Sequence, residues 1–248
     1  MFYDFSMTDP ALPPSGYNPR DYPPVAVTVD TVLFTVVDAD FRVLLIEIGV
    51  PPFKGAWAFP GGFVREDEDL ETASRREFAE ETGIDDVSGY LEQLRTFGDP
   101  DRDPRWRVVT VAYWAILPNL PPPTGGSDAK HAELVPVSEI ESGNLKLAFD
   151  HDTILAAAIE RARAKLEYST VATWFCGEEF TMGELRAIYE TVWGTKLDPG
   201  NFQRKVQQAE GFVIPLDKKT EPGTSGGRPA TLFRAGPSKT IQPPISRT

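Results

Sequence analysis

One stretch constrains this chain more than any other: Gly62 to Ile84, GFVREDEDLETASRREFAEETGI. The pair Gly61-Gly62 follows an apolar run, Ala56 to Pro60, and supplies a tight turn. From about Asp69 the residues predict a helix, with acids crowding the first turn and Gly83 as the stop. On a 3.6-residue period Leu70, Ala73 and Phe78 define the packed side. Glu77 and Glu81 fall inside that arc and Glu80 at its edge, while Thr72, Arg75 and Ala79 point away. A solvated acidic face fits this badly, because an unpaired inward carboxylate is costly. A hard divalent cation, Mg²⁺ or Mn²⁺, resolves the conflict: Glu77, Glu80 and Glu81 stand at i, i+3 and i+4 and can converge on one ion.

Such a site suits a diphosphate, whose oxygens the metal would neutralise. Gly62, five residues, Glu68, seven residues, then Arg76-Glu77-Phe78-x-Glu80-Glu81-x-Gly83-Ile84 resembles the Nudix box at every fixed position. The resemblance implies an α/β/α sandwich acting on nucleoside diphosphates linked to another group. It implies a backbone oxygen near Gly61 or Gly62 in the metal shell, and Arg76 with Glu68 holding loop to helix. Glu77 and Glu81 are then the catalytic candidates. The site either hydrolyses a diphosphate or only binds one.

Charge is uneven along the chain. Overall the net charge is −12, but residues 1–167 carry 15 Lys and Arg against 29 Asp and Glu, whereas 168–248 carry 10 against 8. That asymmetry predicts two domains with different partners. No apolar run approaches the ~18 residues of a spanning helix. The start, MFYDFSMTDP, lacks a secretory pattern, and the single cysteine, Cys176, excludes an internal disulfide, so a cytoplasmic location is expected.

In chain order, residues 1–24 read as a loose arm. Val25 to Val37 and Val43 to Ile48 read as strands around the turn Asp38-Ala39-Asp40, and 90–97 with 107–117 as a further pair. Together with the helix they predict an α/β domain over 25–167. Residues 118–132 read as a Pro-rich loop. Nudix proteins often take a base or extra ligand from a carboxylate in this region, and Glu133 is the candidate, with Asp128 behind it. Asp150 to Leu166 is an Ala-rich helix with His151 at its start.

From Phe180 the pattern changes. Thr181-Met182-Gly183-Glu184 is a capping box opening a helix that ends at Gly194, and Asp198-Pro199 opens a second. The second helix turns Asn201, Gln203, Arg204, Lys205, Gln207 and Gln208 outward. Two strand-like runs, Phe212 to Leu216 and Ala230 to Arg234, flank a basic loop over 217–229. Helix, turn, helix and hairpin is the order of a winged helix-turn-helix, over 168–236, with 237–248 a flexible tail. Asn and Gln can read adenine edges, Arg guanine, and Lys phosphates. Asn201, Gln203, Arg204, Lys205 and, from the wing, Arg228 are the DNA-binding candidates.

The whole order is similar to the Nudix-related transcriptional regulators, the NrtR family. The carrying residues are FGDPDRDPRWRVVTVAY at 97–113, LAFDH at 147–151, FTMGELRAIYE at 180–190, NFQRK at 201–205 and GGRPATLFR at 226–234. The resemblance implies a repressor of NAD-metabolism genes, a homodimer on a palindromic operator, and an ADP-ribose-type ligand that releases DNA. Many members have a degraded box; this one is complete, which leaves ADP-ribose hydrolysis open. The alternative is a Mg-dependent ADP-ribose pyrophosphatase whose C-terminal domain serves dimerisation.

Overall fold

The structure, a computed structural model, describes residues 16–84, 89–118, 120, 129–221 and 229–247. The β-branched run forms β1 (Ala26–Val37), which turns through Asp38 and Ala39, both in the left-handed region, into β2 (Asp40–Ile48). Short β3 (Trp57–Ala58) pairs with β2, and β4 (Gly61–Phe63) lies antiparallel on β1. Next come α1 (Leu70–Thr82), β5 (Tyr90–Phe97) and β6 (Val108–Ile116), the last running parallel to β1. β7 (Ala129–Pro136) pairs antiparallel with β2 and is followed by α2 (Val137–Glu141) and α3 (His151–Tyr168). The result is a mixed sheet of seven strands.

Strand alternation sorts the two faces. Leu33, Leu44 and Ala115 pack with Phe78 of α1, while Val32, Phe34, Val43 and Trp114 join the cluster that holds Ile154, Leu155 and Ala158 of α3. Helices therefore cover both faces, as an α/β/α sandwich requires.

The second unit is α4 (Met182–Trp193), α5 (Pro199–Gln208) and a three-stranded sheet. Its strands are β8 (Phe180–Thr181), β9 (Val213–Lys219) and β10 (Thr231–Ala235), in the order β8-β10-β9. Thr181 and Glu184 complete the capping box in both directions. Tyr189, Phe202 and Val206 are buried in the same apolar cluster as Phe34 and Ile154, so the two units share one core, with Phe41 meeting Phe175 edge-on at 6.3 Å.

The structure departs from the sequence reading in four places. Residues 129–132 and 217–219 are strand rather than loop, each paired with a neighbour that only the fold supplies. β8 was too short to show a period. The tail is not loose: Ile241 and Ile245 are fully buried, and their amides donate to the Tyr168 and Glu167 carbonyls. Arg247 closes the strap with ion pairs to Glu160 and Glu167 of α3. Two isoleucines in a Pro-rich tail carry no periodicity, so nothing local announced the docking.

Candidate ligand cavity and DNA-facing helix

The first half of β1, the β4 turn and the N-terminus of α3 line a cavity of about 420 Å³. Asp30, Gly61, Gly62, Phe63, Glu77, Glu81, Arg102, Asp103, Arg105, Phe149 and His151 all reach it. The acidic helix arrives because Asp69 caps it, accepting from the Thr72 amide at 2.8 Å, while Gly83 ends it with φ 70°. Thr31 and Ser74 hydroxyls, 2.7 Å apart, fix α1 to β1. Glu81 is buried, and its Oε2 accepts the Gly61 amide at 2.8 Å. A Cβ at Gly62 would lie 2.5 Å from the Glu77 carboxyl, so only glycine leaves that carboxylate its place.

Of the three carboxylates expected to converge on one ion, Glu77 and Glu81 line the cavity. Glu80 instead pairs with Arg65 and Arg76, each at 3.2 Å, and does not line the cavity. The i and i+4 residues share the inward face, whereas i+3 turns toward these guanidiniums. Glu77 and Glu81, hard oxygen donors packed against a glycine turn, have the chemistry that would hold a divalent cation. Arg76 stands behind them as a clamp. It donates to both oxygens of Glu68 (2.8 and 2.6 Å), to Glu77 at 2.7 Å and to the Phe63 carbonyl at 3.2 Å. The Arg76 hydrogen bond lowers the Glu68 carboxyl to about 2.

Glu133 lies on β7, not in a loop; its carboxylate faces His131 at 3.6 Å and does not line the cavity. Lys130 pairs with Glu47 at 3.0 Å. Asp128 and Arg228 lie outside the described residues. Residue-by-residue reading missed the cavity's other wall. Arg102 is bound to Asp150 at 2.7 Å and lies 3.5 Å from Asp30. His151 is buried, accepts the Phe59 amide at Nδ1 (3.0 Å) and stacks on the Phe59 ring. Its Nε2 is 3.5 Å from Asp30, and burial holds its pKa below the ordinary histidine value. A signal existed: Asp30 is the lone acid inside β1, AVTVDTVLFTVV, where a charge without purpose is costly.

In the second unit, Phe202 and Val206 anchor α5, leaving Asn201, Gln203 and Arg204 exposed and Lys205 partly so. Asp198 caps it, accepting the Asn201 amide at 2.8 Å. The Arg204 guanidinium lies 3.4 Å from the Asn201 side-chain oxygen, so the two form one polar edge.

A cavity framed for a phosphate ester and a winged helix, sharing one core, define a two-part regulator in which a small molecule and a duplex address the same body. The NUDIX domain family matches residues 27–158, and the NrtR DNA-binding winged helix domain matches 174–235. The chain belongs to the NrtR family of Nudix-related transcriptional regulators. It is 36% identical over 220 residues to the "ADPR responsive transcriptional repressor NtrR" of Acinetobacter baylyi, covering 88% of this chain and 85% of the relative. The crystal structure of Shewanella oneidensis NrtR complexed with a 27mer DNA is similar with TM-score 0.74 and 33% identity, over 89% of this chain and 99% of that one. The NUDIX domain of the same protein complexed with ADP ribose gives TM-score 0.53 and 35% identity, over 59% and 94%.

Proposed function

We propose that this chain is a transcriptional repressor of NAD-metabolism genes that binds a palindromic operator as a homodimer in the cytoplasm and leaves it when ADP-ribose fills the sensor cavity. The observation carrying this is α3. His151, at its start, lines the cavity, and Asp150 just before it holds the lining residue Arg102, while Arg163, further along, donates to the Val192 carbonyl of α4 and accepts the Trp193 indole N–H at its own carbonyl, both at 3.0 Å. One rigid helix thus touches the ligand site and the DNA-binding unit. Ligand shifts the population toward an arrangement whose α5 helices no longer match half-sites about 34 Å apart. The test is a gel-shift titration with DNA upstream of NAD-synthesis genes, with and without ADP-ribose. Release by ADP-ribose supports the reading; affinity for no such DNA defeats it.

A second reading rests on the complete box: the domain also hydrolyses ADP-ribose. Mg²⁺ or Mn²⁺ would be held by Glu77 and Glu81, near Gly61 and Gly62, and supplies neutralisation of phosphate oxygens. Glu80 joins only by giving up Arg65 and Arg76. Glu81 also fixes the β4 turn through the Gly61 amide, which orients the glycine backbone toward the ligand. Mg²⁺-dependent release of AMP by the unaltered protein, lost in Glu81→Gln, supports hydrolysis. Equal turnover in both removes Glu81 from the mechanism, and none in either leaves a sensor.

A further inference from the structure

The cavity is rich in carboxylates: Asp30, Asp103, Glu77 and Glu81 all reach it. A ligand carrying two phosphates meets repulsion there unless fixed cations answer it. Three guanidiniums line the space. Arg102, almost wholly buried, is committed to Asp150 through two hydrogen bonds and to Asp30. Arg65 is more than half exposed and paired with Glu80.

Arg105 is different. Its side chain is 44% exposed, yet its Nε and Nη2 hydrogen-bond to the Asp103 carboxylate, with distances of 2.7 to 3.2 Å. Asp103 is itself buried, and its carboxylate also accepts the Arg105 amide at 2.9 Å. The guanidinium carbon sits 5.7 Å from the Phe63 ring centre and 5.4 Å from that of Phe149, on a residue whose own φ is 56°. Two rings and a buried carboxylate thus hold one half-exposed guanidinium at the cavity, with its rotamer fixed before any ligand arrives. Such preorganisation lowers the ordering cost of a charge-assisted contact. Nη1 is the nitrogen not used by Asp103.

We infer that Arg105 is the specificity residue that reads the ligand's diphosphate, taking a phosphate oxygen on the side away from Glu77 and Glu81. The inference rests on the sensor reading above and assigns the anion-reading part of that site. Asp103 is then a positioning residue, and Phe63 and Phe149 are the walls that keep the guanidinium flat.

The test is calorimetric titration of ADP-ribose, in Mg²⁺, into the full chain and into Arg105→Gln, Arg105→Lys and the charge control Arg95→Gln, on β5 outside the cavity. Arg105→Gln should weaken binding about tenfold or more, Arg105→Lys less, and Arg95→Gln within about twofold. Raising salt should weaken the unaltered protein more steeply than Arg105→Gln, because only the former uses this charge. Glutamine binding within about twofold of the unaltered protein overturns the inference. So does equal loss in the lysine and glutamine variants, since shape rather than charge would then be at work. Failure of the unaltered protein to bind ADP-ribose overturns the sensor reading itself, and this with it.

Discussion

Arg102 and Asp150 are joined by two charge-assisted hydrogen bonds, Nε to Oδ2 at 3.0 Å and Nη2 to Oδ1 at 2.7 Å. The pair fastens the loop before β6 to the residue that precedes α3, the helix on which the winged unit is hung. Asp150→Asn leaves a buried guanidinium with half its compensation and should cost about 3 kcal/mol in urea unfolding. The same variant should shrink the difference between operator affinities measured with and without ADP-ribose. Unchanged stability together with an unchanged ratio would show that the pair joins nothing.

On α5, truncating Arg204 to Ala removes a side chain that packs against nothing in the core. Operator affinity should fall about tenfold or more, while the melting temperature stays where it was. A gel shift alongside a thermal melt separates the two effects. Full operator affinity in the variant would take α5 out of DNA recognition.

The C-terminal strap makes a stability prediction. Ile241 is fully buried in the shared apolar core, and Ile241→Ala should cost about 3 kcal/mol. Removing residues 237–248 should cost at least as much and lower the transition midpoint in urea. A truncated chain as stable as the full one would mean that the strap only covers surface.

Acidification probes His151, which faces Asp30, Asp150, Asp152 and Arg102 and whose pKa is lowered chiefly by burial. The unfolded chain then binds a proton first as pH falls, so stability should be constant above about pH 7 and drop below about 6.5. The carboxyls held low by partners, Asp103 and Glu92 among them, contribute only further down, as pH falls through their own range. His151→Gln, which keeps an acceptor for the Phe59 amide, should flatten melting temperature between pH 7 and pH 5, two points inside that histidine window. An unflattened profile would assign the loss to other groups.

Much of this was legible before any coordinate. The box helix, its Asp69 start and its Gly83 stop are local events set by capping and chain reversal. So are the Thr181 capping box, the Asp198-Pro199 opening and the outward side of α5, where burial of Phe202 and Val206 leaves the polar residues no other direction. Resemblance added the family, because its box and its C-terminal motifs survive intact.

The sequence by itself determined the main helices and the long strands β1, β2, β5 and β6, and that α1 turns Glu77 and Glu81 inward. Only the tertiary structure decided who meets whom. Glu80 turned to arginines, one of them fifteen residues back along the chain; Glu133 came to rest on a strand outside the cavity; and Asp30, Arg102 with Arg105, and His151 converged from three separate segments. The tail docked on α3 for the same reason. Short-range periodicity encodes the direction a side chain faces, whereas a partner far along the chain is fixed only once burial of the shared core brings the segments together.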